Sequence, residues 1–78
     1  MNRAQHITIK LNTIDDIRRF VELATLYAGD IDIRSERYVV DGKSILGILS
    51  LDLKEALTLD VYGDEADRFI DSISDYHI

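Results

Sequence analysis

The sequence predicts an α+β fold, a two-layer sandwich in which a four-stranded antiparallel sheet carries three helices on one face. Segments that alternate apolar and polar residues are interleaved with segments of helical spacing, in the order βαββαβα. Each predicted strand has one apolar face and each helix one apolar stripe, and a sheet covered by helices on a single side buries both. With 78 residues there is room for one core, so residues 1–78 are read as a single domain. A chain this short buries only about 60% of the surface exposed when unfolded, so most of its apolar side chains are needed inside.

From His6 to Leu11 the chain alternates, with Ile7, Ile9 and Leu11 on one side and Thr8 and Lys10 on the other, which predicts the first strand. Thr13 stands where a helix N-cap belongs, followed by Asp15 and Asp16, whose carboxylates suit the positive helix end. Ile14, Ile17, Val21 and Ala24 form the helix's apolar stripe, Phe20 and Tyr27 widen it, and Ala28-Gly29-Asp30 supplies the stop. Ile31 and Ile33 alternate with acids and Arg34, and Ser35-Glu36 reverses the chain into Tyr38-Val39-Val40, a hairpin closed by Asp41-Gly42. Ser44 to Leu51 is too apolar for a surface loop. Its β-branched content fits a buried strand, while the leading serine and the spacing of Ile45, Leu46, Ile48 and Leu49 fit a short helix lying on the sheet. Leu57, Leu59 and Val61 alternate with Thr58 and Asp60 in the last strand, and Gly63-Asp64 ends it. Asp64 is placed to cap a final helix with Ala66, Phe69, Ile70 and Ile73 on one face.

Nine basic against fifteen acidic side chains give a net charge of −6, the wrong sign for displacing counterions from a phosphate backbone, so direct nucleic-acid binding is not expected. Cysteine is absent, which removes disulfides and thiolate chemistry and suits a reducing compartment. No apolar run approaches the roughly 20 residues of a membrane span, and MNRAQHITIK lacks a signal-peptide core, so a cytoplasmic protein without membrane contact is expected. His6 and His77 lie far apart without metal-ligand spacing, and both are expected to be solvated. No phosphate-binding glycine loop or nucleophile–base pairing is evident, and neither a metal nor a cofactor is called for.

The stretch Gly42-Lys43-Ser44-Ile45-Leu46-Gly47-Ile48-Leu49-Ser50-Leu51 closely resembles the regulatory-serine segment of HPr, the small histidine phosphocarrier of the bacterial sugar phosphotransferase system. That family's pattern K-S-I-[ML]-G-[VIL]-[ML]-S-L is met at every position from Lys43 to Leu51, and the likeness runs from Ile7 to about Tyr76. The resemblance implies the family's open-faced β-sandwich. It also implies regulation by an HPr kinase at Ser44 and docking beside a carbon-catabolite repressor through the short helix.

The likeness fails where the family does its chemistry. HPr proteins carry G-[LIF]-H-A-R-P-A at the head of the first helix. Counting back from Tyr27 without a gap puts Thr13 at the histidine position, Asp15 at the arginine and Asp16 at the proline. A phosphocarrier uses a neutral ring nitrogen that is nucleophilic near pH 7 and yields a phosphoramidate able to pass its group onward. An un-ionised threonine hydroxyl with no adjacent base does neither, and two carboxylates oppose an incoming phosphoryl group; Thr13 is read as a plain N-cap. No catalytic residue is therefore assigned and phosphotransfer is not expected. The resemblance is then to catabolite-repression HPr, a branch that lacks the histidine and keeps the serine.

N-capping alone is enough to explain Ser44, whose regulatory phosphorylation is the functional expectation. Lys43, Leu46, Gly47, Ile48 and Leu49, together with Phe20 on the first helix, are the candidates for contacting a protein partner. The apolar four of the short helix exceed what one face can bury, so Leu46 or Ile48 is expected to stay exposed, against a reading in which all serve the core. The leading expectation is a regulatory or adaptor module without phosphocarrier activity. The alternatives are a genuine phosphocarrier with a non-standard acceptor and a domain with only a scaffolding role.

Overall fold

A computed structural model describes residues 4–78. The elements are β1 (Ala4–Ile9), α1 (Ile14–Leu26), β2 (Ile31–Arg34), β3 (Val39–Asp41), α2 (Ile45–Leu49), β4 (Leu57–Tyr62) and α3 (Ala66–Ser72), followed by a 3-10 turn over Ser74–Tyr76. The four strands form one antiparallel sheet in the order β1-β4-β2-β3, so β4, the last strand among the described residues, lies inside the sheet. The expected α+β architecture and the choice of helix for the Ser44 segment both hold.

Alternation decides which side of the sheet is dry. Ile9, Ile31, Ile33, Leu57, Leu59 and Val61 point into one core with Ile17, Phe20 and Ala24 of α1, Ile48 of α2, and Ala66 and Phe69 of α3. Phe20 and Phe69 meet edge to face with centroids 6.0 Å apart, joining α1 to α3. Leu11, read as the end of the first strand, lies beyond β1 but is buried in the same cluster. Ile14, read as the start of the apolar stripe, is 57% exposed at the first helical position, so the stripe begins at Ile17. At α3 the N-cap position belongs to Glu65, not Asp64, and no side chain bonds the helix end there.

Gly63 joins β4 to α3 with φ +107°, a conformation that a residue with a Cβ adopts only under strain. Gly47 serves another purpose. A Cβ there would stand 3.1 Å from Cβ of Val40, so its bare backbone lets α2 lie close against β3.

Candidate functional site

Two helix entrances carry the hydroxyls singled out from the sequence. At the head of α1, Oγ1 of Thr13 accepts from the amide of Asp16 at 3.0 Å. The Asp16 carboxylate in return accepts from the amides of Asn12 and Thr13 at 3.0 and 3.2 Å. This reciprocal capping box satisfies two of the amides at the helix end, those of Thr13 and Asp16, from within the chain. It also sets a carboxylate where an anionic ligand of those amides would otherwise sit. Asp15 stands exposed beside it, 4.0 Å from Arg18.

At the head of α2, Ser44 is half-buried and its Oγ accepts from the amide of Gly47 at 3.1 Å. The serine amide donates to the Asp41 carbonyl and its carbonyl accepts from Ile48, so its backbone is held on both sides. Lys43 is anchored as well. Its amide donates to Oδ1 of Asp41 at 2.9 Å, and its Nζ reaches across to donate to the Tyr27 carbonyl, at the C-terminal end of α1, at 2.7 Å. Tyr27 is a junction in its own right. Its hydroxyl donates to the Tyr62 carbonyl and its ring packs 5.4 Å from Phe69. Burial pushes the Tyr27 phenol above its ordinary range, and the carboxylates of Glu65 and Asp64 push the same way.

The partner-contact candidates divide. Leu46 is 78% exposed, and Ile45 and Leu49 are also open to solvent, which makes an apolar patch on the outer side of α2. Ile48 and Phe20 are both fully buried, so neither can meet a partner, and this corrects their place among the contact candidates. The correction has a simple cause: each points at the sheet, where a short α2 and the middle of α1 must fill the core. Gly47 is half-buried and accounted for by its packing on Val40.

The opposite, open face of the sheet holds a polar group that the sequence did not announce. Asp60 is only 6% exposed although it sits on the outer side of β4. Arg34 of β2 grips its two oxygens at 2.7 and 2.9 Å, and Nδ1 of His6 lies 2.6 Å from Oδ1. Burial alone would raise the Asp60 carboxyl, but the hydrogen bonds and charges of Arg34 and His6 outweigh it and hold the carboxyl below its usual range. The His6 side chain is 62% exposed, so its expected solvation is only half the picture: one ring nitrogen is engaged. His77 is exposed with Nε2 3.1 Å from the Ile70 carbonyl, directed toward α3 and not over the first amides of α1.

A concavity of 630 Å³ lies between the Ser35–Tyr38 turn and the Ser50–Ala56 segment, and neither Thr13 nor Ser44 lines it. Among the described residues no three His, Asp or Glu side chains converge as a metal ion requires, and no helix is long and apolar enough to cross a membrane.

A family model described as "PTS HPr component phosphorylation site" matches residues 16–77. No curated protein matches the chain. Solved structures of similar fold include HPr-C-His from Thermoanaerobacter tengcongensis, with a TM-score of 0.79 at 24% identity over 91% of this chain and 88% of that one. The phosphocarrier protein HPr from Bacillus anthracis str. Ames has a TM-score of 0.75 at 23% identity over 99% and 98%. The Bacillus subtilis catabolite repression containing protein Crh has a TM-score of 0.68 at 22% identity, covering 90% of this chain and 82% of its own.

Proposed function

The chain belongs to the PTS HPr family, and we propose that within it the protein is a regulatory or adaptor module that binds a protein partner and does not carry phosphoryl groups. Members of that family are phosphocarriers, not enzymes in the strict sense, and they act through contacts with other proteins of the phosphotransferase system. The observation that carries the reading is the capping box at the head of α1. A threonine occupies the end of the helix, its hydroxyl committed to the Asp16 amide, with the Asp16 carboxylate folded back over the neighbouring amides. The match to the family begins at residue 16, past Thr13.

In this reading the working surface is α2. Ile45, Leu46 and Leu49 supply apolar contact area, and Ser44 beside them is the residue an HPr kinase would modify. The γ-phosphoryl group of ATP would move to Oγ, its bond to ADP breaking as the hydroxyl proton leaves to a base on the kinase. A charge of about −1.5 to −2 next to an apolar patch changes which partners can dock there, a catabolite-control regulator among them. In this reading the role is a cytoplasmic one.

A genuine phosphocarrier with a non-standard acceptor has one observation in its favour. His6 has Nδ1 held by a buried carboxylate while its side chain is largely exposed. Incubation with the system's first enzyme and labelled phosphoenolpyruvate separates the two readings. No acid-labile label is expected, and label retained on a histidine would defeat the regulatory reading. Treatment with an HPr kinase and ATP is expected to add one phosphate, located on Ser44 by mass spectrometry. An unmodified chain would leave scaffolding as the role.

A further inference from the structure

We propose that Lys43 couples the state of Ser44 to the far end of α1: a phosphate on Ser44 draws the Lys43 ammonium off the Tyr27 carbonyl and loosens the last turn of the helix. The inference rests on Ser44 being modified, and it deepens that reading by naming what the modification does inside the fold.

The two ends of α1 are unequally compensated. Its first turn holds Asp15 and Asp16, which suit the positive end, but its last turn contains no basic residue to meet the negative one. That cation comes from outside the helix, as Nζ of Lys43 at 2.7 Å from the Tyr27 carbonyl. The turn it holds is lightly secured. The Tyr27 amide closes back on Ala24 at 3.1 Å, and Thr25 and Leu26 are exposed.

Lys43 and Ser44 are adjacent, with Cα atoms about 3.8 Å apart across the peptide, and the four-carbon lysine stem spans that separation. The backbone of both residues is pinned through Asp41, so only the stem has to move. An ammonium offered a dianionic phosphate or a neutral carbonyl favours the phosphate, because it meets a full opposite charge there and only a dipole at the carbonyl. The Tyr27 side chain stays on Phe69 and Tyr62 throughout, so the loosening is confined to the backbone of the final turn.

The test uses the full chain made by chemical synthesis with either serine or phosphoserine at position 44, each with and without Lys43→Met, and reads amide hydrogen exchange at Tyr27 by NMR. Phosphate is expected to speed exchange at Tyr27 several-fold when Lys43 is present. Lys43→Met without phosphate is expected to show the faster rate already, with less than a twofold further change on phosphorylation. Unchanged exchange in the phosphorylated native chain would overturn the inference, as would an equal acceleration in the Lys43→Met chain. If Lys43→Met fails to fold, Lys43→Gln removes the same charge and takes its place. Because the phosphate is installed by synthesis, a kinase that ignores Ser44 counts against the functional reading alone, and the exchange rates decide the coupling.

Discussion

Replacing Ile48 and Leu46 by alanine, one at a time, separates the part of α2 that builds the fold from the part that faces outward. Two residues apart in a five-residue helix, they have opposite surroundings, 0% and 78% exposed. Ile48→Ala removes buried carbon from a packed core and leaves a cavity, a loss of about 2–5 kcal/mol. At about 0.05–0.15 kcal/mol per residue the whole domain holds roughly 4–12 kcal/mol, so this one change threatens folding. Leu46→Ala removes carbon already in water and is expected to stay within about 0.5 kcal/mol of the parent. In a domain this small each kcal/mol moves the melting temperature by about 4–8 °C, so Ile48→Ala should melt roughly 10 °C or more below the parent and Leu46→Ala within about 4 °C. Urea unfolding at constant m gives the free energies and thermal melting the temperatures. Equal losses in the two variants, or a loss below about 1 kcal/mol in Ile48→Ala, would refute the assignment of inner and outer faces.

Thr13→Ala is expected to cost about 1 kcal/mol by removing one side of the capping box, while Thr13→Ser restores most of it; denaturant midpoints check both, and an alanine variant as stable as the parent would count against the cap. The acid limb of stability should report Asp60. A carboxyl held lower in the folded state than in the unfolded contributes stability that is fully present above the unfolded value, about 3.9, and is lost as pH falls through the folded one. Midpoints measured from about pH 5 down to pH 2 should fall less steeply for Asp60→Asn, which starts lower because Arg34 loses its partner. Parallel slopes in the two chains would remove Asp60 from the account.

Much of this was legible in the sequence, and the failures share a cause. Period-two runs at Ile31–Ile33 and Leu57–Val61 identified strands because one side of each is buried, and Thr13 was readable as a cap because capping is settled within four residues. The KSI segment marked α2 as a unit, but which of Leu46 and Ile48 faces the core depends on how a short helix is rolled against Val40, a contact that local spacing does not encode. Phe20 reads from the sequence both as core stripe and as partner surface, and its full burial against the sheet and Phe69 decides for the core. Asp60 looked like an ordinary outward residue, since its cover comes from His6 and Arg34 on strands far away in sequence. The Lys43–Tyr27 contact escaped for the same reason: a long flexible side chain crosses between elements, and no periodicity records where it ends.

The place of β4 inside the sheet governs how this chain emerges from the ribosome. Both β1 and β2 pair with it, so Ile9 waits for Leu57 and Ile31 for Val61. At about 5–20 residues per second, the N-terminal strand spends roughly 2–10 s without its neighbour. During nascent-chain growth the apolar row of β1 has no finished surface to lie on, and closure of the sheet waits until β4 has been made.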